Sequence, residues 1–293
     1  MAEAKPLELS DRPKVMDYLR RYPPLISEHT FTNLYVWRYH GPVRLVELGG
    51  ALVFLELRAG ERMAIGPPVG PMEPQKLLDV LHEVGVRSCQ RLPEQAAELW
   101  RQAGLRVMLD RDNSDYVHLR RDLAELKGRR YHRQKNLVNR CLAAYECSYV
   151  PITEDCLDEL AEMVDRWFAE RELADAQGLA HEYWAVREAL DHFSEFGLCG
   201  CAVRIRKRMQ AFTIGERLNE NTAVVHFEKA MPGYDGLYQL INKWFCERSL
   251  TEFEFVNREQ DLGILGLRKA KESYSPHHML DKYTAWCEGE APP

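Results

Sequence analysis

The sequence has no apolar stretch long enough to cross a membrane. Its longest purely apolar runs are short, such as Ala51 to Leu55, against the roughly 18 residues that a spanning helix needs. The opening MAEAKPLELSDRPK contains no apolar signal core. The eight cysteines form no CxxC pair, whereas structural zinc calls for spaced pairs with His or Cys partners. Low-complexity segments and short-period repeats are missing too. Positive charge is not in excess. The net charge of −6 excludes a protein that coats nucleic acid or an anionic membrane over its whole surface. These absences lead us to expect a soluble, cytoplasmic protein with reduced, buried thiols, no metal and no tightly bound cofactor.

What is present is a globular composition, 45% hydrophobic and 29% charged over 293 residues. At about 150 residues per domain that length gives two domains, which we expect at 1–122 and 123–293. Val43–Leu48 and Ala51–Leu57 read as a hairpin broken at Gly49-Gly50, with Arg62–Ile65 as a third strand. Pro74–Val84 and Pro93–Ala103 have helical spacing, with a strand at Val86–Leu92 between them. Leu105–Asp110 and Tyr116–Leu119 are further strands. The aromatic run Phe31–Tyr39 reads as core plus hairpin edge.

The middle reads as one long helix, Leu123–Ala144, followed by a strand at Tyr145–Pro151 and helices at Glu154–Glu172 and His181–Phe193, with a loop at Asp175–Leu179. The long helix has a basic face. Lys127, Arg129, Arg130, Arg133, Lys135 and Arg140 fall within fourteen residues that contain no acid. Such a face suits a phosphate backbone, and equally a plain solvated surface.

The last third returns to strands. Leu198–Ile205 and Met209–Arg217 form a hairpin, and Ala223–Glu228 and Glu252–Val256 flank the helix Leu237–Arg248. Gly233-Tyr-Asp-Gly236 brackets the turn into that helix, whose free N–H groups suit an anion; glycine also simply caps such corners. Strict alternation along the strand places Val224, His226 and Glu228 on one face, and Val225, Phe227 and Lys229 on the other. His226 and Glu228 would then form an acid/base pair or hydrogen bonds at a sheet end. Asn257, Arg258, Glu259 and Asp261 lie just past the next strand, where open α/β sheets place their ligand crevice. Arg268, Lys269 and Lys271 would clamp phosphates or line a solvated helix.

The strings SEHTFTNLYVWR, KGRRYHRQKNLVNR, AFTIGERLN, VVHFEKA, GLYQLINKWF and VNREQDLGILGLRKAKESY resemble the DUF2156 family. That family is related to the C-terminal domain of phosphatidylglycerol lysyltransferase. The resemblance spans roughly Pro23 to Tyr283. It implies a mixed α/β (α+β) fold of two tandem GNAT-like (acyl-CoA N-acyltransferase-like) domains, each a mainly antiparallel sheet flanked by helices. It also implies an acyl- or aminoacyl-transferase drawing on aminoacyl-tRNA or acyl-CoA. In the membrane relatives this domain moves a lysyl group from charged tRNA to a lipid hydroxyl. Those relatives carry a multi-helix membrane part that this chain is expected to lack, which leaves a lipid headgroup, a peptide or a small amine as acceptor.

By the same resemblance, Glu228 falls where a general base sits at the end of the fourth strand. Tyr274 or Tyr283 would be the general acid. Ala230, Gly233, Tyr234, Gly236, Asn257, Arg258, Arg268 and Lys269 would hold the donor, and Lys127, Arg129, Arg130, Arg133 and Lys135 would dock nucleic acid or phosphate. The family's pyrophosphate loop, [Q/R]xxGx[G/A], is represented here by Ala230-Met-Pro-Gly233-Tyr-Asp-Gly236, with neither Gln nor Arg at its head. A hairpin tip of Arg206-Lys207-Arg208 is unusually basic. Two other readings stay open: a non-catalytic binding protein on the same scaffold, and a CoA-dependent N-acetyltransferase for a small amine.

Overall fold

The structure, a computed structural model, describes residues 3–39, 41–58, 60–71, 79, 81–170 and 176–286. The expected helix at Pro74–Val84 lies for the most part outside them. The first strands are β1 (Lys5–Pro6), β2 (Arg44–Leu48), β3 (Ala51–Arg58), β4 (Glu61–Ile65), β5 (Val86–Pro93), β6 (Arg106–Leu109) and β7 (Asp115–Leu119). After them come β8 (Cys147–Pro151), β9 (Cys199–Ile205), β10 (Arg208–Arg217), β11 (Thr222–Ala230), β12 (Phe255–Asn257), β13 (His278–Leu280) and β14 (Lys282–Trp286). They form two seven-stranded sheets, ordered β1-β2-β3-β4-β5-β14-β6 and β13-β7-β12-β11-β10-β9-β8.

The chain divides into two compact units. One comprises Met1–Asp115, Gln260–Leu265 and Met279–Pro293; the other comprises Tyr116–Glu259 and Gly266–His278. A single cut between residues 122 and 123 does not describe these units, because the chain's last strand returns to the first sheet.

In the first unit, β2, β3 and β4 run antiparallel and β4 pairs with β5 in parallel. The tight turn at Gly49-Gly50 sets the β2–β3 register, with Leu48 opposite Ala51. The helix Glu94–Gln102 opens after Pro93 and buries Ala97 and Trp100 against a core that includes Leu55, Val86, Leu92 and Ala285. Phe31–Val36 is a helix rather than a hairpin edge. Thr30 caps it, accepting the Asn33 N–H on its side chain.

β14 slots between β5 and β6, antiparallel to both. A fully buried lysine fixes its start. Lys282 Nζ donates to Asp115 Oδ1 and Glu28 Oε2, each at 2.6 Å, and to Ser27 Oγ at 3.3 Å. Ser27 donates in turn to Asp115 through both its N–H and its hydroxyl, at 3.1 and 3.0 Å. Arg91 Nε reaches the other Glu28 oxygen at 3.1 Å. Burial alone would push the ammonium's pKa down. Asp115 and Glu28 outweigh it and hold that pKa above the ordinary lysine value.

In the second unit, β8, β9, β10 and β11 are antiparallel, β11 pairs with β12 in parallel, and β12 pairs antiparallel with β7. The crossover from β11 to β12 is the helix Leu237–Arg248. It buries Leu237, Leu240, Ile241, Trp244 and Phe245 at helical spacing. The helix Leu157–Ala169 buries Leu160, Met163, Val164 and Trp167. Trp167 Nε1 donates to the Ala230 carbonyl at 2.9 Å. The ammonium of Lys229 lies 4.4 Å from the Trp167 ring centroid and 2.5 Å from Glu182.

The expected continuous helix Leu123–Ala144 is broken. It ends as Arg120–Glu125, and Leu126 and Gly128 then take positive φ of 49° and 90° before Arg129–Tyr131 and the helix His132–Ala144. Leu126 is buried, so the break turns an apolar anchor inward. Ala176–Asp191 is helical where a loop was expected to reach Leu179, while Asp175 lies outside the described residues. No helix among the described residues is long and apolar enough to cross a membrane.

Replacing Lys282 with Met would leave the buried Asp115 without its counter-charge and Glu28 with Arg91 alone. The variant should lose about 3–5 kcal/mol of stability, read by urea denaturation. A loss under about 1 kcal/mol would show the cluster to be incidental.

Candidate functional site

The polar residues of the second unit gather at the end of β11. A bulge sets their directions. Ile214 pairs with Phe227 but Gly215 pairs with Val225, so His226 is the extra residue on β11. Gly215 is required there: a Cβ on it would lie 2.2 Å from the Val224 carbonyl oxygen. The bulge breaks the strict alternation expected from the sequence. Glu228 shares the face of Ala223 and Val225 toward the helix Leu237–Arg248, while Lys229 faces Trp167.

Glu228 accepts from Arg258 Nη2 at 2.9 Å on Oε1 and from Asn242 Nδ2 at 3.2 Å on Oε2. Both side chains of the ion pair are 12% exposed. The Arg258 guanidinium lies 4.9 Å from the Tyr274 ring centroid. Burial raises the pKa of the Tyr274 hydroxyl above the ordinary phenol value, against the opposing charge of Arg258. Thr213 stands directly across the ladder from Glu228. Three buried atoms around this carboxylate have no hydrogen-bond partner among the described residues: Arg258 Nη1, Asn242 Oδ1 and Thr213 Oγ1. Native proteins rarely leave buried polar atoms unpaired, and the exceptions gather at functional sites.

His226 does not pair with Glu228, which corrects the expectation of an acid/base couple. Its Nδ1 bonds Glu259 Oε1 and its Nε2 bonds Glu216 Oε1, each at 2.9 Å, with the ring 1% exposed. Burial favours the neutral ring, but the bonds to Glu216 and Glu259 outweigh it and raise the pKa to about 9. At neutral pH it is an imidazolium with both nitrogens occupied. Neither nitrogen is free to take a proton from a substrate.

The turn before the helix Leu237–Arg248 is packed on one side, with Pro232, Gly233 and Asp235 exposed. Gly236 has φ of +80°, and a Cβ there would lie 2.1 Å from the Leu137 carbonyl oxygen, on the helix His132–Ala144. Tyr145 packs edge-on against Tyr234 at 5.0 Å between ring centroids, and its hydroxyl donates to the Gly233 carbonyl at 3.3 Å. The Met231 N–H donates to Gln210 and the Leu237 N–H to Tyr234. Of the turn expected to hold the donor, Gly236 packs against Leu137 and Tyr234 against Tyr145, while Gly233 has open space beside it.

Just past β12, Arg258 enters the site; Asn257 is the last residue of that strand. Asn257 is buried and accepts the Glu259 N–H at 2.8 Å, supporting the positive φ of 55° at Glu259. Arg268 and Lys269 lie on the helix Leu265–Glu272. Lys271, on the same helix, donates to the Arg258 carbonyl at 2.6 Å. Tyr283 belongs to β14 of the first unit, beside Arg101. Asn242 was missed in the sequence, since it interrupts an apolar helical stripe that reads as core. Cys246 is no nucleophile: burial pushes its thiol up to about 12.

The basic segment is split by its partners. Lys127 pairs with Glu125 at 2.9 Å, Arg130 with Asp122 at 2.6 Å and Arg140 with Asp235 at 2.9 Å. Arg129, Arg133 and Lys135 have no partner among the described residues. They line two open concavities. One, of about 780 Å³, is bounded by His132, Arg133, Asn136, Asn139 and Asp235; the other, of about 470 Å³, by Gly128, Arg129 and Lys135. Among the described residues no group of three His, Cys, Asp or Glu side chains is placed to hold a metal ion.

Comparisons with known proteins follow this geometry. Residues 19–286 match the family model described as phosphatidylglycerol lysyltransferase, C-terminal. A conserved protein of unknown function from Bacteroides thetaiotaomicron is 30% identical, with TM-score 0.89 over 98% of this chain and 100% of that one. L-PGS from Bacillus licheniformis is 14% identical, with TM-score 0.70 over 99% of this chain and 95% of that one. FemX is 8% identical, with TM-score 0.64 over 97% and 96% of the two chains. The last two are likenesses of fold. No protein of curated function matches the sequence.

The His226 assignment predicts a pH dependence with a definite sign. A folded-state pKa raised above the unfolded value gives stability that is complete below about 6.5 and lost as pH rises through about 9. Urea denaturation at stepped pH should show that fall, and His226→Gln should flatten it. A profile identical in the two proteins would contradict the assignment.

Proposed function

Since this chain belongs to the phosphatidylglycerol lysyltransferase C-terminal family, we propose that it is an aminoacyltransferase, moving an aminoacyl group from charged tRNA to a hydroxyl or amine acceptor. The reading is carried by the Glu228–Arg258 pair, with three uncompensated polar atoms gathered about one carboxylate. In this scheme the acceptor's oxygen or nitrogen attacks the ester carbonyl carbon. Glu228 takes the acceptor's proton, and Arg258 steadies the developing oxyanion. The ester C–O bond to the terminal ribose breaks, and the ribose oxygen is protonated, with the Tyr274 hydroxyl as donor. Asn242 acts as a positioning residue for Glu228. The acceptor in this scheme is a lipid headgroup, a peptide or a small amine.

The two-unit plan supports a tandem GNAT-like reading. In each sheet antiparallel strands lead to one parallel pair, β4–β5 in the first and β11–β12 in the second. Acetyl-CoA fits less well as donor. The turn that would cradle its pyrophosphate lacks the leading Gln or Arg, and Leu137 and Tyr145 pack against it. An RNA backbone instead would lie on Arg129, Arg133 and Lys135, the cations left unpaired on the basic segment.

Glu228→Gln should lower kcat for transfer from aminoacyl-tRNA about a hundredfold or more, with KM nearly unchanged. An unchanged kcat would reduce Glu228 to a structural role. Arg133→Glu with Lys135→Glu should raise KM for the tRNA and flatten its dependence on salt by about two contacts. A KM and salt slope equal to those of the wild type would remove the helix from the binding site.

A further inference from the structure

An unpaired strand at the edge of a sheet is a template for another chain unless something blunts it. Of the edges in the two sheets, β1 is two residues long and ends on Pro6, β8 ends on Pro151, and β13 has three residues. The edge strand β6 is different. Its residues Arg106-Val-Met-Leu109 include no proline, and it pairs with β14 alone among the described residues. Met108 is 43% exposed and Leu109 51%. Leu99 lies on the helix Glu94–Gln102, whose core also takes Val107, and is 41% exposed. All of these residues belong to the first unit. Scattered exposed leucines are ordinary, but apolar side chains gathered on an open edge mark a surface built for a partner.

The ladder with β14 fixes which backbone groups stay open. The Asp110 N–H donates to the Lys282 carbonyl at 2.7 Å, and Leu109 stands opposite Tyr283. Along an antiparallel strand the direction of the N–H and C=O groups alternates residue by residue. Arg106, Met108 and Asp110 therefore turn theirs toward β14. Val107 and Leu109 turn theirs to the open edge.

The order of the side chains says what covers that edge. The segment runs from a base at Arg106 to an acid at Asp110, placed evenly about Met108. Arg106 lies by the Met108 sulfur at 3.3 Å and 5.7 Å from the Trp286 ring centroid, and it meets no carboxylate among the described residues. Asp110 accepts from the N–H and the side-chain amide of Asn113, both neutral donors that leave its charge uncompensated. A second copy of β6, laid antiparallel about a twofold axis at Met108, puts each Arg106 opposite the other copy's Asp110. The same register sets Val107 opposite Leu109, so the open N–H and C=O groups of both copies bond one another. A shift of one residue would set open groups against groups already bound to β14. A twofold interface requires a surface that complements itself, and this strand does so in charge and in hydrogen bonding at one register. An unrelated strand would match the backbone alone.

We propose that two copies of this chain pair through β6, antiparallel about a twofold axis at Met108, and so join their first sheets into one continuous sheet. This pairing is independent of the aminoacyl-transfer reading. The test is light scattering of the whole chain after gel filtration, at about 1 to 100 μM, the range in which a modest interface assembles. The mass should rise from 34.1 kDa toward twice that value as the concentration rises. Met108→Lys, an exposed change that sets like charges on the axis, should weaken pairing about tenfold or more while keeping the melting temperature of the unpaired chain. Arg106→Glu alone and Asp110→Lys alone should each weaken pairing, and an equimolar mixture of the two should pair again, because every charge then meets its opposite. If Asp110→Lys loosens the turn at Asn113 and melts early, Met108→Lys and Arg106→Glu decide the matter. The mass of one chain at every concentration, or a dimer that Met108→Lys and Arg106→Glu leave intact, would overturn the proposal. So would a mixture of folded variants no more associated than either one alone.

Discussion

The buried ion pair between Arg258 and Glu228 is the contact on which the second unit's polar architecture turns. It joins β11 to the segment after β12, and each partner is engaged beyond it. Glu228 also takes Asn242 from the crossover helix. Arg258 lies over Tyr274, its N–H donates to the Tyr116 carbonyl, and its own carbonyl accepts Lys271. A charge pair this buried is weak as a source of stability, because desolvation offsets much of the attraction. Apolar packing would hold these elements together with fewer unsatisfied atoms.

The bulge at His226 is what aims the pair. Without the extra residue, Glu228 would take the opposite face of β11, toward Trp167, and lose Asn242. The inserted histidine is held by two carboxylates, from β10 and from the segment after β12. It thus works as a charged rivet beside the site and gives up any part in proton transfer. The first unit uses the same device. Lys282, between Asp115 and Glu28, holds the returning strand β14 in a core that would otherwise expel it.

Much of this was legible in the sequence where periodicity decides the structure. The hairpin β9–β10 and the helix Leu237–Arg248 follow from alternation and from the 3.6-residue apolar stripe, and both stand within a residue of their expected bounds. The sequence failed where one residue breaks a period. Alternation assumes an even pleat, so the bulge reversed the face assigned to Glu228. Helical spacing ran through Leu126–Gly128 because neither residue announces its positive φ. Phe31–Tyr39 reads as core plus hairpin edge because aromatics favour β-structure, and the cap that makes Phe31–Val36 helical, Thr30 to Asn33, is a short local signal. Asn242 was hidden by the apolar stripe around it. The basic segment held no acid of its own, yet Glu125, Asp122 and Asp235 come from flanking or distant chain to neutralise half of it.

The central proposal is that the chain takes its acyl group from tRNA. The most direct measurement supplies the purified protein with radiolabelled aminoacyl-tRNA and, separately, with labelled acetyl-CoA, and follows loss of label over time. The account predicts that aminoacyl-tRNA is consumed faster than it hydrolyses alone, that Arg258→Met returns it to that background rate, and that acetyl-CoA persists. Consumption of acetyl-CoA with aminoacyl-tRNA left at its background rate would contradict it.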